Sequence, residues 1–169
     1  MTKNISGLGV GEQIAYLREA LELQVIAVSG IVHWADGQIG SQKDPAYELI
    51  ELALMTGSNR YDTASQLLQV ETPTLSRAEV LPYVLAEAHK RLLIDPGFGK
   101  ILAEGLYQSW FKSNYDFPDD LNLCGYFEDA YSLAESGVVG TVDQIDKELL
   151  EFTAQFQGCD RFMSLLGHF

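Results

Sequence analysis

Residues 141–156 read TVDQIDKELLEFTAQF, and their spacing decides the fold class. Val142, Ile145, Leu149, Phe152 and Phe156 recur at intervals of three and four. That period puts them on one side of an α-helix, whereas a strand would split them between its two faces. Thr141 and Gln144 form a capping box at the start, with the threonine hydroxyl placed to accept a free N–H of the first turn. The apolar stripe is narrow, which suits packing along one neighbouring helix.

The same period runs upstream. Ile14, Leu17 and Leu21 share a face within residues 11–23, and Val28, Ile31, Val32, Ala35 and Ile39 share another. Asp44-Pro45 predicts a capped restart, with the proline at the first helical position, for a helix over 45–56 that buries Ala46, Leu49, Ile50, Ala53 and Leu54. Gly57 stops it, and Ser58 or Asn59 caps a short helix through Ala64, Leu67 and Leu68. Ser76-Arg77-Ala78-Glu79 is a second capping box, with Leu75 and Val80 at staple spacing. Pro82 conflicts with that register, so the helix either bends there or starts nearer Leu81. Asp95-Pro96-Gly97 turns the chain into a helix over 98–112, and a further helix carries Leu123 to Ala134. Phe162, Leu165 and Leu166 form a tail expected to dock on the core. The β-favouring runs, Leu23–Val28 and Val138-Val139, do not alternate. The expectation is an all-α, single compact domain of about seven or eight helices over residues 1–169, with helices near 28–39, 45–56, 98–112 and 141–156 and with 1–10 as a flexible leader.

Composition narrows the function classes. The 169 residues carry 24 acids against 11 Lys and Arg, a formal net charge of −13. Such a balance argues against nucleic acid, whose phosphates require clustered bases, and against an anionic membrane surface. No apolar run reaches bilayer length, and the opening MTKNISGLGVGEQ lacks a signal-peptide core, so a cytoplasmic location is expected. Two cysteines, Cys124 and Cys159, match no metal or redox spacing and read as free thiols.

Motifs of catalytic type are incomplete. Gly7-Leu8-Gly9-Val10-Gly11 follows no strand, and Gly97-Phe98-Gly99-Lys100 lacks the hydroxyl residue and spacing of a phosphate loop. His33 and Asp36, at i and i+3, would supply only two metal ligands. His89 reads as a surface histidine, and His168 stands alone. Asp120 to Gly125 opens like a calcium loop, but position five is Cys124 and position twelve is Tyr131. No catalytic residue, metal or cofactor is therefore assigned, and the chain is not expected to be an enzyme.

The distinctive region is acidic and aromatic. Residues 101–169 hold 12 acids against 3 bases, while residues 1–100 hold 12 against 8. Six acids and no Lys or Arg lie between Tyr115 and Glu135. Tyr107, Trp110, Phe111, Tyr115, Phe117, Tyr126, Phe127 and Tyr131 concentrate eight of 18 aromatics between residues 107 and 131. Phe127, Trp110 and Phe111 also fit a core role. As a surface, the region would pair aromatic anchors with a steering field for a basic partner, through Tyr115, Asp116, Asp119, Asp120, Glu128 and Asp129.

Residues 28–70, VSGIVHWADGQIGSQKDPAYELIELALMTGSNRYDTASQLLQV, place a Trp-Ala-Asp element before a proline-started helix. In this they resemble small helical bacterial proteins of unknown function, some of them similar to immunity proteins encoded beside polymorphic toxins. The resemblance implies a binding role and brings no catalytic residues. The leading expectation is thus a protein-binding module, an immunity-like inhibitor of a basic toxin or nuclease. The alternatives are an adaptor that forms homo-oligomers through the Val142–Phe156 stripe, and an enzyme with a carboxylate site between helices.

Overall fold

The computed structural model describes residues 7–166; Leu166 is described by its backbone alone, and His168 lies outside. Nine α-helices and one 3-10 helix make up the regular structure among the described residues, with no strand. They are α1 (Val10–Glu22), α2 (Val28–Gly40), α3 (Tyr47–Ala53), α4 (Arg60–Val70), α5 (Arg77–Ile94), α6 (Phe98–Lys112), the 3-10 helix Asp119–Gly125, α7 (Phe127–Glu135), α8 (Val142–Ala154) and α9 (Met163–Leu166). The fold class is all-α. No helix among the described residues is long and apolar enough to cross a membrane.

The chain divides into two compact units. Of the described residues the first takes 7–22, 26–76 and 161–166, and so holds α1 to α4 and α9. In it α1 packs on α2 and α4, and α3 on both α2 and α4. α1 is buried on every side: Ile14, Leu17 and Leu21 are inaccessible or nearly so, and so are Tyr16 and Ala20. Glu19, which lies off the face of Ile14, Leu17 and Leu21, is fully buried as well. Gln13 ties the unit together, donating to the Leu8 carbonyl at 3.1 Å and accepting the Trp34 indole N–H at 2.9 Å. Buried polar groups need such partners, because an unmet one costs about 1–3 kcal/mol. Of the leader expected over 1–10, residues 1–6 lie outside the described residues, Leu8 is buried and Val10 opens α1. The tail docks through Phe162, whose ring stacks on Tyr16 at 4.6 Å with the planes 4° apart, while Arg161 pairs with Glu12.

Two expected features of the first unit differ. Helix α3 starts at Tyr47, with Ala46 at the cap position and no side-chain cap bond, so Asp44 and Pro45 precede it rather than open it. Its buried residues are Leu49 and Leu52, while Ile50 and Leu54 face outward. The next cap is as expected: the Asn59 side chain accepts the Asp62 N–H at 2.9 Å and starts α4.

The second unit takes residues 77–160 with 23–25. Here α6 packs on α5, α7 and the 3-10 helix, and α8 on α5 and α7. Helix α5 begins at Arg77 and continues through Pro82, so the early start holds despite the proline. Gly105 gives the backbone of Leu23 room, since a Cβ there would stand 3.1 Å from Leu23 Cα. Arg91 donates to the Gln24 carbonyl. Thr141 accepts the Gln144 N–H at 3.2 Å, as its capping box requires. Ile145, Leu149, Phe152 and Phe156 are buried and Val142 is not. The α8 stripe is therefore occupied by the chain's own packing, and no continuous seam is left for a second copy there.

Candidate functional site

The acidic aromatic region is built around the end of α6. Ser113 caps the helix, its N–H reaching the carbonyls of Ser109 and Trp110. The N–H of Asn114 then bonds the Phe111 carbonyl at 3.0 Å, and that of Tyr115 returns to the Trp110 carbonyl at 2.9 Å. This closure needs left-handed backbone, which Asn114 and Tyr115 supply at φ 55° and 61°. Asparagine tolerates that region; tyrosine enters it rarely and at a cost of roughly 1–2 kcal/mol. The rings of Trp110 and Phe111 hold Tyr115 edge-on at centroid distances of 4.7 and 5.6 Å. Tyr115 nonetheless stays 51% exposed, and so does Phe111.

The next segment closes on the same indole. Pro118 precedes the 3-10 helix, which buries Leu121 and Cys124 and leaves Asp119, Asp120, Asn122 and Leu123 outside. Its last residue, Gly125, lies against Trp110, where a Cβ would come within 2.6 Å of ring carbons Cε3 and Cζ3. Trp110 is thus gripped between Gly125 and Tyr115. The expected helix from Leu123 is split at Tyr126, with α7 starting only at Phe127. Helix α7 buries Phe127, Ala130 and Tyr131 and leaves Glu128 and Asp129 exposed in its first turn.

Tyr115, Asp116, Asp119, Asp120, Glu128 and Asp129 are all exposed. Among the described residues none of the five carboxylates makes an ion pair; Asp119 accepts one weak bond, from the Asn122 amide at 3.3 Å. Four of them occupy helical first turns, where the helix dipole favours negative charge and supplies a structural reason for acids. Glu135 departs from the expected uncompensated set: Lys100 donates to both its carboxylate oxygens at 2.8 Å. Sequence distance conceals that pair, because 35 residues separate its members.

The aromatics divide between core and surface. Phe117, Phe127 and Tyr131 are buried, Tyr107 and Trp110 half-buried, and Phe111, Tyr115 and Tyr126 exposed. Exposed Phe111, Leu123 and Tyr126 widen the apolar part of the surface beyond the residues the sequence singled out. The Tyr126 hydroxyl donates to Glu148 at 3.0 Å, and that hydrogen bond, with some burial, raises its pKa above the usual tyrosine value.

Two polar pairs, one part-buried and one buried, lie elsewhere in this unit. The Tyr131 hydroxyl donates to Asp146 at 2.6 Å beside Gly99, where any side chain would collide with it. Burial, the hydrogen bond and the Asp146 charge together push Tyr131 well above the ordinary tyrosine range. His89 is buried, not on the surface, because it faces α8. His89 Nδ1 and the Thr153 hydroxyl share a hydrogen bond at 2.9 Å, and the same hydroxyl lies 3.1 Å from the Leu150 carbonyl. The remaining sequence candidates are scattered. His33 and Asp36 are exposed on α2, and Asp120 to Gly125 winds into the 3-10 helix. Among the described residues no group of three or more His, Cys, Asp and Glu converges. Cys124 and Cys159 form no disulfide.

Comparison with known protein families, with curated proteins and with solved structures finds no match.

Proposed function

We propose that the chain is a protein-binding module whose surface over residues 115–129 grips a basic partner, in the manner of an inhibitor that masks a basic toxin or nuclease. Tyr115 carries this reading: an aromatic residue held in left-handed backbone, exposed, beside unpaired carboxylates. Backbone strain of this kind collects where a side chain must be presented rather than buried. Tyrosine offers large contact area with few rotors to freeze, and the carboxylates add a long-range field.

The test is capture of basic proteins from the source cell on immobilised wild-type chain, followed by dissociation kinetics. Tyr115→Ala is expected to speed dissociation by at least tenfold, as an anchor residue does when it is truncated. Retention of acidic partners only, or an unchanged dissociation rate, overturns the reading.

A further inference from the structure

Helix α3 and the two residues after it, 47–55, read YELIELALM, in which Glu48 and Glu51 alone are polar. The apolar residues of a surface helix normally face the core. Here only Leu49 and Leu52 are buried, against α2 and α4. On the other side Tyr47 is 68% exposed and Leu54 77%, with Ile50 between them. Tyr47, Ile50, Glu51, Leu54 and Met55, with Gln66 of α4, line a groove of about 380 Å³. The lining is ordered by polar contacts: Gln66 donates to the Glu48 carbonyl at 3.0 Å and reaches a Glu51 carboxylate oxygen at 3.4 Å. Glu51, one helical turn on, raises the pKa of the Tyr47 hydroxyl above the usual tyrosine value.

We propose that this groove docks an amphipathic helix of a partner protein, apolar along one face and carrying Lys or Arg beside that face. Three observations select this occupant. The anchors at 47, 50, 51, 54 and 55 follow helical spacing and run for about 12 Å, just over two turns, which matches a helix laid alongside. Tyr47 and Leu54 stand largely in solvent, so the groove is too open to envelop a small molecule, whose surface a ligand site buries by 70–90% or so. Glu51 lies in the groove and Glu48 beside it, with no Lys or Arg among the lining residues, so the local charge complements a base. A second copy is disfavoured on the same ground: it would bring another net charge of −13 and set Glu48 and Glu51 against their own equivalents. The groove belongs to the first unit and the Tyr115 surface to the second, so the two proposals stand or fall separately.

The probe is a 16-residue helical peptide with leucines at i, i+3, i+4 and i+7 and lysines flanking them. Its twin carries glutamates in place of the lysines. Both are titrated into isotope-labelled full chain, with amide shifts followed by NMR. The lysine peptide is expected to shift residues 47–55 and Gln66, and Leu54→Glu to weaken it at least tenfold. Asp119→Asn with Asp120→Asn is expected to leave those shifts unchanged. Leu54 is exposed, so Leu54→Glu retains the wild-type circular dichroism; Leu54→Ala serves as a second variant with a smaller loss. The proposal is overturned if shifts fall only on residues 115–129, if the glutamate peptide binds as well, if Leu54→Glu binds normally, or if the α3 shifts depend on protein concentration without peptide.

Discussion

Gly125→Ala tests the architecture that presents Tyr115. An ideal Cβ at 125 stands 2.6 Å from two ring carbons of Trp110 and 3.0 Å from a third, so the indole must retreat by about 1 Å. Overpacking of this kind costs about 1–3 kcal/mol. Loss of glycine's freedom in the unfolded chain offsets about 0.4–1 kcal/mol, because Gly125 has no positive φ. The net is a loss of about 1–2 kcal/mol, which for a chain of this length lowers Tm by about 2–8 °C. Emission should report the displacement directly. In a Trp34→Phe background Trp110 is the remaining tryptophan, and its spectrum should move to the red as the ring is pushed toward water. Gly37→Ala is the control of opposite sign: no neighbour lies within 4 Å of a Cβ there, and alanine inside an exposed helix gains about 0.5–1 kcal/mol. An unchanged Tm together with unchanged Trp110 emission in Gly125→Ala would refute the claim that the 3-10 helix clamps the indole.

Other outcomes follow from the two polar pairs. The unfolded Tyr131 phenol ionises near pH 10, whereas the folded one stays neutral well above it. Its contribution is therefore complete below pH 10 and is lost as pH rises beyond it, so Tm should fall in that range, and Tyr131→Phe should flatten the fall. Thr153→Val leaves the buried His89 Nδ1 without its hydrogen-bond partner and should cost about 1–3 kcal/mol by urea denaturation, while Thr153→Ser should cost less.

Much of the helical framework is legible from residues alone. The helices over 28–40 and 98–112, and the caps at Asn59 and Thr141, follow from local spacing and local hydrogen bonds, which need no tertiary information. What escapes is what tertiary packing decides. Periodicity distinguishes faces only where one is polar, and α3 carries apolar residues on both, so Leu54 could not be told from Leu52. His89 reads as a surface residue because its buried surroundings come from a distant segment; its Thr153 contact spans 64 residues. At the candidate site the exposure of all five carboxylates matches their sequence reading. The left-handed backbone of Tyr115 does not, since tyrosine carries no local signal for it; its N–H bond to the Trp110 carbonyl and the Trp110 and Phe111 rings hold it there.

The central claim is that the 115–129 surface steers and anchors a basic protein. Its most direct test is stopped-flow association of the captured partner with wild type and with the variant carrying Asp116→Asn, Asp119→Asn and Asp120→Asn. Steering by charge acts on encounter, so the variant should associate about tenfold more slowly at low salt. The difference should vanish near 1 M salt, where the Debye length is about 3 Å. Equal association rates at low salt would contradict the account and leave the carboxylates as helix-start and solubility residues alone.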